Sequence, residues 1–504
     1  MSIEIIATNL FLFYVAGYET TASIASFTAY ELSRFPETLE KAQRDVREAM
    51  EKHNNKLTYE TIQDMKYLDL CIMETTRKYP GLPILNRQCT HDYPLPDSDL
   101  VIKSGTPVII SLLGLHRDEK YFPEPMLWDP ERFLQGRYDP VAFMPFGEGP
   151  RQCIAQRLGK IIVKVALAKL LLNFNIEFNP VRKEIEIANY GVPIMAKGGI
   201  NIRLSKRKEI QSHLSAIALQ LVMFLLLLLT ACTAAFFYIK WNYTYWQRKG
   251  FPYYEPKIPF GVLDEVRKRK ATFGIAVSDV YRNTKDRVVG IYLMTRPALL
   301  VRDAHLARDM LTRDFESFHD RGIHVDDEKD PQSSGGVFFL KGLDWKSLRV
   351  KLTPLFTSGK LKAMFGTVED VGDKMVNYLN AQLPDEGAKE VEMKSVMSTF
   401  AIDIIASVIL GLEVDSFVEP NNAIRNISRK INLPTLERLF MRLGWREEAP
   451  NMMRDLVKQT IQMREAHNIS RKDMLQLLMQ LRNKGEINAD DNDWSATKVG
   501  KGGQ

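Results

Sequence analysis

Residues 145–160 read PFGEGPRQCIAQRLGK. Two glycines and a proline specify a tight loop, and an apolar-periodic helix is predicted to open at Cys153 and run to about Phe174. A cysteine at a helix N-terminus faces unpaired backbone N–H groups and the positive end of the helix dipole, which favour thiolate over thiol. Arg151 adds a positive charge two residues earlier. A partly shielded thiolate, beside glycines that let a flat ligand approach, has the properties of an axial ligand to haem iron. A lone cysteine is more often an inert core residue, so the motifs around it decide.

The chain has 504 residues, enough for one large domain or several ordinary ones. Lys and Arg number 68 against 62 Asp and Glu, and a net charge of +6 over this length is too mild to argue for nucleic acid. Cys71, Cys89, Cys153 and Cys232 lie far apart with no CxxC pair, which argues against a disulfide framework or a thiolate zinc site. The opening MSIEIIATNLFLFYVAG carries Glu4 where a secretory leader is basic, and reads as the first turns of a buried helix. A different apolar run, LQLVMFLLLLLTACTAAFFYI at 219–239, sits in mid-chain. No charge falls between Leu214 and Ile239, 26 residues in all, about 39 Å of helix and enough to cross a hydrocarbon core of about 30 Å. Trp241, Tyr243, Tyr245 and Trp246 follow it, as expected of a bilayer interface, and then the proline-punctuated hinge RKGFPYYEPKIPFG.

Both sides of this run are patterned mainly for helix: KAQRDVREAMEKH and IIVKVALAKLLLNF before it, VEDVGDKMVNYLNAQL and RKDMLQLLMQLRNKG after it. HDYPLPDSDLVIKSGTPVII and VGIYLMTRPALLVRD suggest small sheets. The fold class is therefore mainly α with small β-sheets, plus one membrane-anchor helix. Three parts are expected: 1–205, a linker and anchor at 206–240, and 241–504.

Several motifs converge on one family. FGEGPRQCIA resembles the haem-binding loop of the cytochrome P450 family, F-x-x-G-x-R-x-C-x-G/A, with Ala155 where most members have glycine. The resemblance implies haem b, with Cys153 as its axial thiolate, Phe146 near the sulfur and Arg151 on a propionate. Glu74 and Arg77 in CIMETTRKYPGLP are three apart and can pair on one helix face. With PERF at 130–133 they are similar to the family's ExxR–PERF lock, which implies a buried network of Glu74, Arg77 and Arg132. Arg87 in LPILNRQC matches the arginine that reaches a propionate. AGYETTAS at 16–23 is similar to the family's oxygen-binding motif, where Ala16 and Gly17 would leave room for dioxygen and Glu19 and Thr20 would deliver protons. WKSLR at 345–349 resembles the family's WxxxR, which implies that Trp345 and Arg349 donate to a propionate. The stretches around WKSLR and PERF closely resemble the insect microsomal branch that oxidises xenobiotics.

The order of these motifs is reversed. The family runs anchor, WxxxR, AGxET, ExxR, PERF, Cys; here the last four precede the anchor, so the P450-like fold is expected in permuted order. Two explanations stand, a circular permutation or the tail of one gene joined to the head of a neighbour. The second is preferred, because a spanning helix at 214–239 would put Cys153 and Arg349 on opposite sides of a membrane. The resemblance implies a monooxygenase of the endoplasmic reticulum membrane, facing the cytoplasm, that acts on a lipophilic small molecule. Its electrons would come from NADPH through a flavoprotein reductase (NADPH-cytochrome P450 reductase), with cytochrome b5 as a candidate second donor. Lys160, Lys164, Lys346 and Lys351 could attract the reductase's acidic surface. The rival is a haem-free, non-catalytic membrane protein, mis-joined or permuted, that assembles no pocket.

Overall fold

A computed structural model of the chain describes residues 1–179, 185–188, 193–206, 241–323, 325, 334–430, 448–487 and 494–496. The expected anchor at 214–239 lies outside the described residues, and among these no helix is long and apolar enough to cross a membrane.

The N-terminal segment does form a helix. α1 spans Ile3–Arg34, opened by the Ser2 side chain accepting from the Ile5 N–H. Its burial is nearly all-round through Val15 to Ser33, as its apolar sequence requires. α2 (Lys66–Lys78), α3 (Gln156–Asn173), α4 (Gly342–Leu352), α5 (Phe365–Gln382) and α6 (Met393–Val408) are the other helices that matter for the site. α1, α3, α5 and α6 share one hydrophobic core, in which Leu10, Tyr14 and Val165 join Phe356, Val371 and Phe400.

Two small sheets tie the early and late residues together. The first has the order β1 (Ile84–Gln88), β2 (Pro107–Ser111), then Arg296–Val301, then Val288–Leu293. Here β2 runs parallel to Arg296–Val301, with Val108 opposite Leu299 and Ile110 opposite Val301. In the second sheet Asn201–Lys206 lies between Phe174–Glu177 and Lys389–Glu392, antiparallel to both. Strands from the described parts of 1–205 and 241–504 thus pair directly with one another. The described parts of both belong to one body, because β2 pairs with Arg296–Val301 and Asn201–Lys206 pairs with Lys389–Glu392, each satisfying backbone groups across the two segments.

One further expectation changes. Trp246 and Tyr243 are buried rather than interfacial. The Trp246 indole N–H donates to the Ile291 carbonyl at 2.9 Å, and its ring lies over Gly290, where any Cβ would come within 2.4 Å of it. Trp241 alone of these four stands largely exposed, at 60%. Gly17 lets α6 approach α1: a Cβ there would lie 2.8 Å from Ile405 Cδ1.

That contact predicts a compensating pair. Gly17→Ala should destabilise the fold by about 1–3 kcal/mol through overpacking, and adding Ile405→Val should recover part of the loss. Chemical denaturation of the single and double variants measures the coupling; strictly additive losses would contradict the packing described.

Candidate functional site

The cysteine loop is shaped by glycines with left-handed backbones. Gly147 has φ 74° and Gly149 φ 69°. A Cβ on Gly149 would fall 1.9 Å from the Leu311 carbonyl oxygen, so the loop seats directly on the end of the helix Ala304–Leu311. The loop closes through the Cys153 N–H donating to the Phe146 carbonyl at 2.9 Å. Helix α3 begins at Gln156, capped at Ala155, so Cys153 precedes the helix rather than opening it.

This shifts the electrostatics of the sulfur. Burial raises the Cys153 pKa, opposed by the Ala155 backbone N–H and then by the charges of Arg349 and Arg321. The positive charge expected from Arg151 is supplied by these two residues instead. Cys153 is enclosed by protein and still keeps an open surface, as does Ala16 in the otherwise buried middle of α1. Open positions within a closed core mark an internal space. The two elements lie side by side, since a Cβ on Gly159 in α3 would be 3.8 Å from Thr21 in α1.

Four arginines form one cluster beside the thiol: Arg321 and Arg349 act on the sulfur, and Arg87 and Arg151 adjoin Arg321. Arg87 is buried, and only its NH1 is satisfied, by the Asn86 carbonyl at 2.8 Å. Arg151 donates to the carbonyls of His319 at 2.8 Å and Leu340 at 2.9 Å, and its guanidinium lies 3.9 Å from the Trp345 ring centre. Arg349 donates to the Gln152 carbonyl at 2.9 Å. Arg321, from the stretch FHDRG, stacks on Phe338 at 4.1 Å; sequence reading did not single it out. Arg87 Nε, Arg151 NH1 and Arg321 Nε are buried with no hydrogen-bond partner. Burial first, then mutual repulsion, pulls Arg87 well below its ordinary pKa, Arg321 down to about 10 and Arg151 to about 9. Buried donors left over on several cations fit a dianionic ligand such as a haem with its two propionates.

Glu74, Arg77 and Arg132 are brought together, all fully buried. Glu74 Oε1 accepts from Arg77 NH2 at 2.8 Å, Arg132 Nε at 3.1 Å and the Asp129 N–H at 3.0 Å. Arg77 Nε meets Glu74 Oε2 at 2.8 Å, and Arg132 also reaches the Pro123 carbonyl at 2.8 Å. The network thus nails α2 to the segment before the cysteine loop. Beside it His116 gives its carbonyl to Arg77 NH1 at 2.7 Å. Burial and then the Arg77 charge push the His116 imidazole down to about 3.

On α1, the Thr20 hydroxyl donates to the Ala16 carbonyl at 2.7 Å, and a Cβ on Gly81 would be 3.7 Å from its Cβ. Glu19 is buried and forms an ion pair with Lys394 Nζ at 2.7 Å, in a geometry that gives Glu19 Oε1 no proper hydrogen bond. Lys394 in turn donates to Ser23 Oγ at 3.0 Å. Of the four lysines expected on a docking face, Lys346 and Lys351 are exposed. Lys164 is not: it is buried against Asp69 at 2.7 Å and the Ile62 carbonyl at 2.6 Å.

The family model for cytochrome P450 matches residues 1–199 and 256–498. The chain belongs to the cytochrome P450 family, whose members hold a haem iron through a cysteine thiolate. Relatives include Probable cytochrome P450 6d5 of Drosophila melanogaster, 52% identical over 291 residues, covering 55% of this chain and 57% of that one. Cytochrome P450 6d3 of Musca domestica is 50% identical over 295 residues, 55% of this chain and 56% of its own. Cytochrome P450 6d1 of Musca domestica reaches 58% over 214 residues, 41% of each. The chain spans a little over half the length of the first two of these relatives.

Two predictions follow from the buried charges. Glu74→Gln leaves two buried guanidiniums without a counter-charge and should cost about 3–5 kcal/mol, read as loss of folded protein in denaturant melts. His116 has a folded pKa far below its unfolded value of about 6.5. The unfolded chain therefore binds the extra proton, and stability should fall as pH drops from about 6.5 toward 3. A His116→Gln variant should show a shallower acid limb in Tm against pH; an unchanged slope would remove His116 from the account.

Proposed function

We propose that this chain is a haem-dependent monooxygenase that inserts one atom of dioxygen into a lipophilic small molecule. The observation that carries the reading is the arrangement at Cys153: one thiol facing an internal space, beside a cluster of four guanidiniums of which three hold buried, unsatisfied donors. Haem bound through the Cys153 thiolate supplies the activation of dioxygen, the second oxygen atom leaving as water.

The protein's own residues then have separable tasks. Arg87, Arg151, Arg321, Arg349 and Trp345 hold the propionate side. Phe146, Gly147 and Gly149 shape a loop that shields the sulfur, and Ala155 gives it a backbone N–H. Glu74, Arg77 and Arg132 fix that loop's approach to α2. Thr20 keeps its hydroxyl proton on the Ala16 carbonyl and leaves its lone pairs facing away, ready to accept from water. Glu19 can carry a proton inward only by leaving Lys394, so Lys394 sets how readily the acid turns.

In this reading electrons come from NADPH through a flavoprotein reductase, with cytochrome b5 as an alternative donor, and Lys346 and Lys351 offer exposed positive charge to either. We take the site to work at the endoplasmic reticulum membrane, cytoplasmic side, with residues 214–239 as an anchor that does not span it, since a spanning one would part Cys153 from Arg349. The reversed motif order is then a permutation that one polypeptide tolerates, since Cys153 and Arg349 must come from the same chain. The competing view, a mis-joined protein without haem, makes the opposite prediction.

The reduced, carbon-monoxide difference spectrum of the full chain in microsomes decides between them. The expected result is a red-shifted thiolate Soret band that Cys153→Ala abolishes and Arg321→Ala weakens through poorer haem retention. A wild-type chain without that band is not a haem-thiolate enzyme.

A further inference from the structure

An amide buried in the apolar first half of α1 must find hydrogen-bond partners there. Asn9 is fully buried and finds them in two places. Its Nδ2 donates to the Ile5 carbonyl of its own helix at 2.8 Å and to the Gly335 carbonyl at 3.3 Å. Its Oδ1 accepts from the Val337 N–H at 3.0 Å. The contacts to Gly335 and Val337 cross 326 and 328 positions of sequence. A side chain that served only the core could have been apolar, like Leu10 beside it.

The segment that Asn9 grips carries contacts of two arginines in the cluster beside Cys153. Gly336, between the two gripped residues, accepts from the N–H groups of Phe339 at 2.9 Å and Leu340 at 3.1 Å, which closes a tight turn. This turn sets the Phe338 ring 4.1 Å from the Arg321 guanidinium and gives the Leu340 carbonyl to Arg151 NH2 at 2.9 Å. Leu12, further along α1, packs with Phe338, Phe339 and Ile323 and provides a second, apolar seat. Arg151 NH1 and Arg321 Nε are both buried donors without a hydrogen-bond partner. Where these donors stand depends on residues 337–340, and the place of those residues depends on Asn9.

We propose that Asn9 is a positioning residue for the anionic groups of the ligand: by gripping Gly335 and Val337 it sets Arg151 and Arg321 at the spacing that a dianion requires. The inference rests on the haem reading of the arginine cluster and adds to that site a residue of α1. Asn9 acts through the turn, not on the ligand.

The test follows transfer of haem to apomyoglobin from the full-length, haem-loaded protein in lipid nanodiscs. It is repeated with haem dimethyl ester, whose propionates carry no charge. In Asn9→Ser the hydroxyl can turn back to the Ile5 carbonyl and is too short for the other two groups. Haem should leave Asn9→Ser about 5-fold faster than wild type, with loss of the ester unchanged. Asn9→Gln keeps both polar groups and should fall between the two. Leu10→Ala truncates the core at the next residue; it should lower Tm and speed the loss of both ligands alike, which separates positioning from general loosening. Equal acceleration of both ligands in Asn9→Ser, acceleration of neither, Asn9→Gln as fast as Asn9→Ser, or charge discrimination as large in Leu10→Ala each overturns the proposal. A wild-type chain that takes up neither ligand overturns the haem reading and this inference with it. A wild-type chain that retains haem leaves that reading standing whatever Asn9→Ser does.

Discussion

Arg321 and Arg349 act on the Cys153 sulfur, Arg87 and Arg151 crowd against Arg321, and their mutual repulsion is the constraint on which the site depends. Most of their contacts are to backbone carbonyls or ring faces: Asn86, His319 and Leu340, Phe338, Gln152. Among the described residues one acid, Asp320, pairs with the group, reaching Arg151 at 3.4 Å, too few to neutralise four guanidiniums. Carbonyls orient a guanidinium without cancelling its charge, so the positive potential survives for an anion. The same field acts on the sulfur, where burial pushes the pKa up and Arg349 and Arg321 push it down. A site built this way stores unfavourable electrostatics until a dianion arrives, and binding then stabilises the fold through linkage.

The Glu74 network shows the opposite economy of charge. There two guanidiniums share one carboxylate, and nearly every remaining donor finds a carbonyl. The consequence is rigidity without a spare binding capacity. Placed between α2 and the loop that carries Cys153, it fixes geometry for the neighbouring cluster, which has capacity but little cohesion of its own. Buried ion pairs are weak evidence for net stability, and positional specificity is the better account of this one.

Much of this was legible in the sequence, for identifiable reasons. Local signals read well: the helices predicted from KAQRDVREAMEKH and VEDVGDKMVNYLNAQL appear as Pro36–Lys52 and Phe365–Gln382. The i, i+3 spacing of Glu74 and Arg77 also translates directly into contact. Partners distant in sequence did not read. Arg321 sits in a loop with no periodicity, and its role emerges only when Cys153 and Arg349 are placed around it. Lys394 meets Glu19 across 375 positions, and Lys164 turns inward to Asp69 because its helix packs on that side. Trp246 shows a related failure: it was given a lipid-facing purpose and is spent on packing between elements that only the tertiary structure brings together.

Chain order matters less to this architecture than the pairing of its two segments. Strand Arg296–Val301 lies parallel to β2, so no short turn could join them in either order. Separated, β2 would expose the edge that carries Val108, Ile109 and Ile110, all buried in the assembled sheet. Likewise α1 without α6 would lose the face that Ile405 and Phe400 cover. Each segment is therefore an incomplete core, and the free energy of closing it is available whichever segment is made first. What the order does control is effective concentration: within one polypeptide the two surfaces meet intramolecularly, whereas separate chains would have to find each other at bulk concentration. The reversed order of motifs is thus compatible with a closed site, provided that residues 207–240 return the chain to the body that Lys206 leaves.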